Sequence, residues 1–393
     1  MERNRLYGIG EPVTMRAIAG DIDAMKALDI MAELGVTAFR EWMHLPLLLN
    51  SPTEPNPEAV AAYKKTLDRC VELDIEVTGM SHGWFLPDDC GACERVNSAM
   101  PHRDLAPGSA YMRTLEMLEQ SWYTMVSLFP QINQWEVGNE WNMSLFLHPL
   151  GWKPRDPGFE FHELTLITLD LMYWSAKGIR RANPAAKVVS YSPTPAFPGH
   201  GSYIPAGVPG QYGIAAALDA MYQAIERGES FSVNSDDYFD IVAWHPYLPT
   251  LMGYAPIMDR YPAEKGYFPD ERPDARWRGF NDAAYDVMAR HGDGHKPVLI
   301  TEFGFSDAGN PDRERYQAEL IRETFETLKQ MPYVKTMHFF RLFESVVKDY
   351  SAEGNNGVFQ NDVEAHFGIV REPANGYEWR TKAKVLKEIY TQK

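Results

Sequence analysis

Three cysteines in a chain of 393 residues are too few for a fully paired disulfide framework. No apolar run approaches the roughly 18 residues that a membrane-spanning helix needs. The opening Met-Glu-Arg-Asn-Arg-Leu-Tyr-Gly holds no apolar core of an export signal. Basic residues are in deficit: 38 Lys and Arg stand against 54 Asp and Glu, a formal net charge of −16, and no cluster of Lys and Arg interrupts that balance. Nucleic acid is therefore a poor partner, since binding a polyanion requires basic patches. These absences lead us to expect a reduced, cytoplasmic protein with no nucleic-acid or membrane partner and an uncharged substrate; a homo-oligomer is compatible with them.

Two further signals are too thin to carry chemistry. Cys90-Gly-Ala-Cys93, with Cys70, His82 and His102 elsewhere, raises a structural zinc, but a single C-x₂-C without a second pair favours free thiols. Gly199-His200-Gly201 and Gly207-Val-Pro-Gly210 read as loop rather than as a nucleotide-binding fingerprint. We expect no metal and no cofactor.

What the chain does contain is a hydrophobic content of 45%, ample for a large core, and an unbroken alternation of strand-like and helix-like segments. The strands are expected at about 6–10 (β1), Val36 to Trp42 (β2), Ile75 to Met80 (β3) and Ile132 to Asn139 (β4). They continue with Lys187 to Tyr191 (β5), Phe239 to Trp244 (β6), Pro297 to Glu302 (β7) and Val334 to Arg341 (β8). Helices are expected at about 21–34, 57–73, 110–129, 159–183 and 212–227, with a helical pattern after each of the last three strands. Several strands are near-continuous apolar runs, as in a parallel sheet buried on both faces. Eight βα units without reversal predict an α/β fold, a single (β/α)8 TIM barrel domain over 1–393. The long connections, at about 81–109, 193–211, 247–272 and 342–375, all follow strands, so the insertions fall on the C-terminal face, where such barrels place their sites.

The strand bodies are apolar, but their ends are not. Arg40 closes β2, His82 and Trp84 follow β3, Asn139-Glu140 closes β4, His245 and Tyr247 follow β6, Glu302 closes β7 and Arg341 closes β8. Trp135-Glu136-Val137-Gly138-Asn139-Glu140 and Val298-Leu299-Ile300-Thr301-Glu302 are core runs that end on carboxylates, which are expensive to bury. Two such carboxylates at one barrel mouth suit acid/base and nucleophilic work on a glycosidic bond. Glu136 shares the strand parity of Glu140 and reads as a buried partner rather than a catalyst.

This set resembles the clan A retaining glycoside hydrolases, families 5 and 39 in particular. The likeness lies in Asn-Glu ending β4, Glu ending β7, Arg after β2, His-x-Tyr after β6, a closing Phe367-Gly368-Ile369 and a last helix with Lys382 and Lys384. The resemblance implies Glu140 as general acid/base and Glu302 as nucleophile, cleaving β-glycosidic bonds of a short oligosaccharide or glycoside by double displacement. It further implies Arg40 as the cation beside the nucleophile, Asn139 on the sugar 2-hydroxyl, Tyr247 on Glu302 and His245 in the pocket wall. Arg40 could instead pair with Glu41 or Glu136, Asn139 could be a turn residue, and His245 and Tyr247 could be satisfied core groups. His82 and Trp84 are candidates to bind sugar or to pack a loop. Of Trp42, Trp84, Trp141 and Trp244, at least one is expected in a subsite. Where many of these enzymes carry Trp at the end of β8, this chain has Phe339-Phe340-Arg341, and Arg341 is read as a substrate contact in its place. The competing readings are a metal-dependent sugar isomerase or lyase on the same barrel, and a non-catalytic carbohydrate-binding barrel.

Overall fold

The computed structural model describes residues 6–90, 98–153, 156–195, 212–247, 275–307, 311–344, 366–371 and 376–392. Eight parallel strands form one sheet: β1 (Leu6–Gly10), β2 (Ala38–Trp42), β3 (Glu76–Ser81), β4 (Gln134–Val137), β5 (Lys187–Val189), β6 (Val242–Trp244), β7 (Val298–Phe303) and β8 (Val334–Phe340). Apart from β5 and β6, each strand pairs with its sequence neighbour, and β1 pairs with β8. The last seam, between β5 and β6, is closed by the Val189–Ile241 bridge and by Ser190 N–H donating to Ile241 O at 2.9 Å. This is the expected (β/α)8 barrel.

Local chemistry sets the helix boundaries. Asp23 caps α1 (Ala24–Leu34), accepting from Met25 N at 2.9 Å, and Gly35 ends it at φ 83°, a left-handed value that costs glycine least. Asn56 caps α2 (Pro57–Glu72) with proline in its first turn, and Ser109 caps α3 (Ala110–Leu128), accepting from Met112 N at 3.1 Å. The outer layer continues through α4 (Phe161–Ala182), α5 (Gly213–Glu226), α6 (Ala275–Arg290), α7 (Pro311–Leu328) and α8 (Thr381–Thr391). Short elements that periodicity alone does not anticipate sit in the connections: one helix at Val13–Ile18, another at Leu45–Leu48, and a two-stranded pairing of Ala99–Met100 with His148–Pro149. No helix among the described residues is long and apolar enough to cross a membrane.

The strands divide their side chains between two environments. Ile9, Phe39, Val77, Trp135, Val188, Val242, Ile300 and Phe339 face outward into the main core with the helices. Inside the barrel Val189, Ile241, Ala243 and Leu299, on or beside β5, β6 and β7, form a separate apolar cluster. Two residues further along the same strands come His245 and Thr301, and there the interior turns polar.

Candidate active site

Arg40 lies on the inward face of β2, 1% exposed, and uses all three guanidinium nitrogens. Nε donates to Glu136, one Nη donates to Glu302, and the other donates to Asn139 Oδ1 at 3.0 Å. Both alternatives weighed for Arg40 are thus answered by geometry: it joins Glu136 and Glu302 together. Glu41 points the other way, accepting from Thr14 N at 3.2 Å and Thr14 Oγ1 at 3.1 Å.

Glu136 is fixed on its second oxygen by the hydroxyls of Ser192 and Thr301, the latter at 2.9 Å. His245 is 0% exposed, with Nδ1 2.9 Å from Glu140 Oε1 and Nε2 3.0 Å from Thr301 Oγ1. Tyr247 donates to Glu302 Oε2 at 3.2 Å. Ser192 and Thr301 were not anticipated. Thr301 stands directly before a strand-end carboxylate, a signal that could have drawn attention to it.

Glu140 reaches the mouth through a strained turn. Gly138 has φ 76°, and a Cβ there would meet the Tyr191 ring at 2.3 Å. Glu140 itself has φ 49°, an uncommon conformation for a residue with a side chain and one that clusters at functional sites. One ligand-type atom each from Glu140, His245 and Glu302 lies within 4.8 Å of the others. The two glutamates are 5% exposed, buried yet open at the mouth.

The electrostatics separate the carboxyl groups. Burial raises Glu136, but the charge of Arg40 and the contact with His245 outweigh it and hold the carboxyl at about 2. Burial would lower His245, but Glu302, Glu136 and Glu140 raise it to about 9. Glu140 moves the other way: burial raises its pKa, the hydrogen bond and charge of His245 oppose that, the Glu302 charge adds to it and Arg40 opposes it, with the net shift upward. Arg40 and His245 thus share one buried cluster with three carboxyl groups, and among the shifted carboxyls Glu140 is the one displaced upward.

The remaining expected residues lie apart from this cluster. His82 Nδ1 is 3.1 Å from the Tyr191 hydroxyl and Nε2 is 3.2 Å from Ser98 Oγ, so protein groups occupy both ring nitrogens. Burial, with His44 and His148 nearby, lowers its pKa to about 3. Trp84 is 3% exposed and its indole donates to Ala99 O at 2.7 Å, which is loop packing. Arg341 binds Glu11 through Nε at 3.2 Å and Nη2 at 2.8 Å, while Glu11 also takes Arg16 at 2.8 Å. Glu11 directly follows β1 and obeys the same strand-end rule as Glu140 and Glu302. Trp141 is 0% exposed, and Trp244 turns outward to donate to Asn281 Oδ1 at 2.8 Å. That leaves Trp42, half-buried, two residues beyond Arg40 on the same face of β2.

Cys70 is buried in α2 and Cys90 is a free thiol; Cys93 and the glycine-rich loops at 199–201 and 207–210 lie outside the described residues. Among the described residues, Glu140, His245 and Glu302 form the one group of three side chains spaced to hold a metal ion.

No protein-family model matches the chain, and no curated protein matches it. Solved structures do. The chain is similar to a family 39 glycoside hydrolase from the gut symbiont Bacteroides cellulosilyticus WH2, with TM-score 0.59 and 15% identity over 100% of this chain and 65% of that one. It is similar to a GH5_18 protein from Bifidobacterium longum subsp. longum in complex with Manb1-4GlcNAc, with TM-score 0.63 and 14% identity over 99% and 78% of the two chains. Aphid myrosinase gives TM-score 0.62 and 12% identity over 100% and 99%. The chain spans 65% of the length of the family 39 structure, just under two thirds. At such identities the likeness establishes the fold.

Proposed function

We propose that the chain is a retaining β-glycosidase, one catalytic barrel domain acting without cofactor or metal on a neutral, short oligosaccharide or glycoside. The observation that carries the reading is the approach of the Glu140 and Glu302 carboxyl groups to within 4.8 Å across the barrel mouth. Retaining enzymes hold their two carboxyls about 5–5.5 Å apart, whereas inverting enzymes leave about 6.5–9.5 Å for a water.

Glu302, positioned by Arg40 and Tyr247, attacks the anomeric carbon as the bond to the leaving oxygen breaks. Glu140, whose burial favours the protonated form, passes a proton to that oxygen. In the second half Glu140 takes a proton from water, the water oxygen bonds to the anomeric carbon, and the Glu302 carboxylate departs. Asn139, its Oδ1 already held by Arg40, offers its Nδ2 to the sugar 2-hydroxyl. Trp42 supplies the aromatic face for the sugar ring. A short substrate agrees with a cytoplasmic protein, and the long connections after β3, β5, β6 and β8 favour exo-action on it.

The metal-dependent reading has the three-ligand spacing in its favour. A cation there would have to share Glu302 with Arg40 and take His245 stripped of a proton it holds up to about 9. The hydrolytic reading asks for neither. The test is an aryl β-glycoside panel with Glu302→Gln and Glu140→Gln. Glu302→Gln should lose on the order of 10⁴-fold or more in kcat. Glu140→Gln should lose about 10²–10⁴-fold, least with the best leaving groups. The first-formed sugar should be the β-anomer by NMR. Full turnover in both variants, or loss of wild-type turnover on adding a chelator, removes the proposal.

A further inference from the structure

A second buried polar cluster lies beyond the end of β7, outside the catalytic group. Lys382, at the start of α8, is 0% exposed. Its Nζ donates to the carbonyls of His366 at 2.9 Å, Phe367 at 3.2 Å and Phe305 at 3.4 Å, with Asp307 Oδ2 at 3.4 Å. Phe305 is three residues beyond Glu302 on the same run of chain. Phe367 is 1% exposed, and its ring meets the edge of Tyr247 at 5.9 Å between centroids and Phe340 at 5.4 Å. Tyr247 in turn donates to Glu302. There is little slack between these parts: a Cβ on Gly304 would fall 1.8 Å from Phe340 O.

Among the described residues, the charged groups around Lys382 form one network with Arg380 at its centre. Arg380 donates to Asp307, to Glu314 at 3.2 Å and to Glu344 at 2.5 Å, and Glu344 is 3.2 Å from His366 Nδ1. The route from this cluster to Glu302 runs through Phe305 and, by way of Phe367, through Tyr247.

Building on the glycosidase reading, we propose that Lys382 is a positioning residue: by tying the Phe305, His366 and Phe367 carbonyls together it seats Phe367 against Tyr247, and so holds the Tyr247 hydroxyl on the nucleophile. A group that acts this way affects the chemical step more than substrate binding, because a displacement of about 1 Å at a reacting group can cost up to about 10²-fold in rate.

Lys382→Met keeps the length of the side chain and removes its donors. With an aryl β-glycoside, measured well below the melting temperature of each variant, kcat should fall about tenfold while KM changes less than twofold. The acid limb of kcat/KM should move to higher pH. In a double-mutant cycle with Tyr247→Phe, the double variant should be no slower than Tyr247→Phe alone, because both changes remove the same constraint. Wild-type kcat and acid limb in Lys382→Met, or additive losses in the cycle, overturn the proposal. Should Lys382→Met fail to fold, Phe367→Leu leaves the Lys382 contacts in place and must reproduce the fall in kcat; wild-type behaviour there overturns it equally. Glu302→Gln run alongside separates the two levels. If it keeps its turnover, the glycosidase reading falls and takes this inference with it. If it is inactive while Lys382→Met behaves as wild type, the positioning role alone is lost.

Discussion

Two arginines, Arg40 and Arg380, are buried to 1% and 6% exposure, and each gathers acidic side chains from distant parts of the chain. Arg40 draws its partners from β4, β7 and the turn after β4, within the barrel itself, and engages every guanidinium nitrogen. Arg380 collects Asp307, Glu314, Glu344 and the Gly368 carbonyl from loops and helix ends, and its Nε has no hydrogen-bond partner among the described residues. The companion cations shift in opposite directions. His245 faces three carboxyl groups, which overcome burial and raise it to about 9. Lys382 faces three carbonyls and one carboxylate already engaged by Arg380, and burial lowers it to about 8. Enclosed charge therefore sits in two settings here: around Arg40 it lines the barrel mouth with carboxyl groups, and around Arg380 it ties the start of α8 to the segments after β7 and β8.

The largest effect expected is the removal of either arginine. Breaking a buried ion pair by deleting one partner costs about 3–5 kcal/mol, since the other charge is left uncompensated. Arg40→Met and Arg380→Met should both lower the unfolding free energy by about that much in denaturant titrations. Turnover should separate them. Below its own melting temperature, Arg40→Met should lose at least about 10³-fold in kcat/KM, while Arg380→Met stays within about tenfold of wild type. Equal losses of activity would erase the distinction between the two clusters.

The Arg40 cluster could be read from the chain and the Arg380 cluster could not, for a physical reason. Strand periodicity fixes which way a side chain points, so an apolar run ending in Glu140 or Glu302 announces a carboxylate at the barrel mouth. All eight strands were legible for the same reason, with bounds adjusted by a few residues. The indoles were not, because the environment of Trp84 depends on a loop carbonyl, that of Ala99, and not on strand parity. Arg380 and Lys382 carry no local pattern at all. Their partners come from segments 12 to 77 residues away and meet them only once α8 is docked. The helix at Val13–Ile18 is too short for its period to register.

A smaller effect sharpens the electrostatic half of the comparison. With a folded pKa of about 9 against an ordinary 6.5, His245 binds its proton more tightly in the folded state. Its contribution is full below pH 6.5 and is lost as pH rises through about 9, a change on the order of 3 kcal/mol. Stability measured by denaturant titration should therefore decline across that window, and the decline should flatten in His245→Asn. An unchanged slope in the variant would mean that the charge on the imidazole is not what the three carboxyl groups hold.

The smallest effect has the opposite sign. Lys382 has a folded pKa of about 8 against an ordinary 10.5, so between those values the unfolded chain carries a proton that the folded protein has released. Stability must then rise with pH across that range, by on the order of 2 kcal/mol before pH 10. The rise runs against the His245 decline where their windows overlap, between about 8 and 9. Wild-type stability should accordingly fall from pH 6.5, level off near 8 to 9 and turn upward. In Lys382→Met the levelling should disappear and the decline continue through pH 9. If the two profiles coincide above pH 8, Lys382 keeps its proton in the folded state, and the two clusters differ in position but not in the way they hold charge.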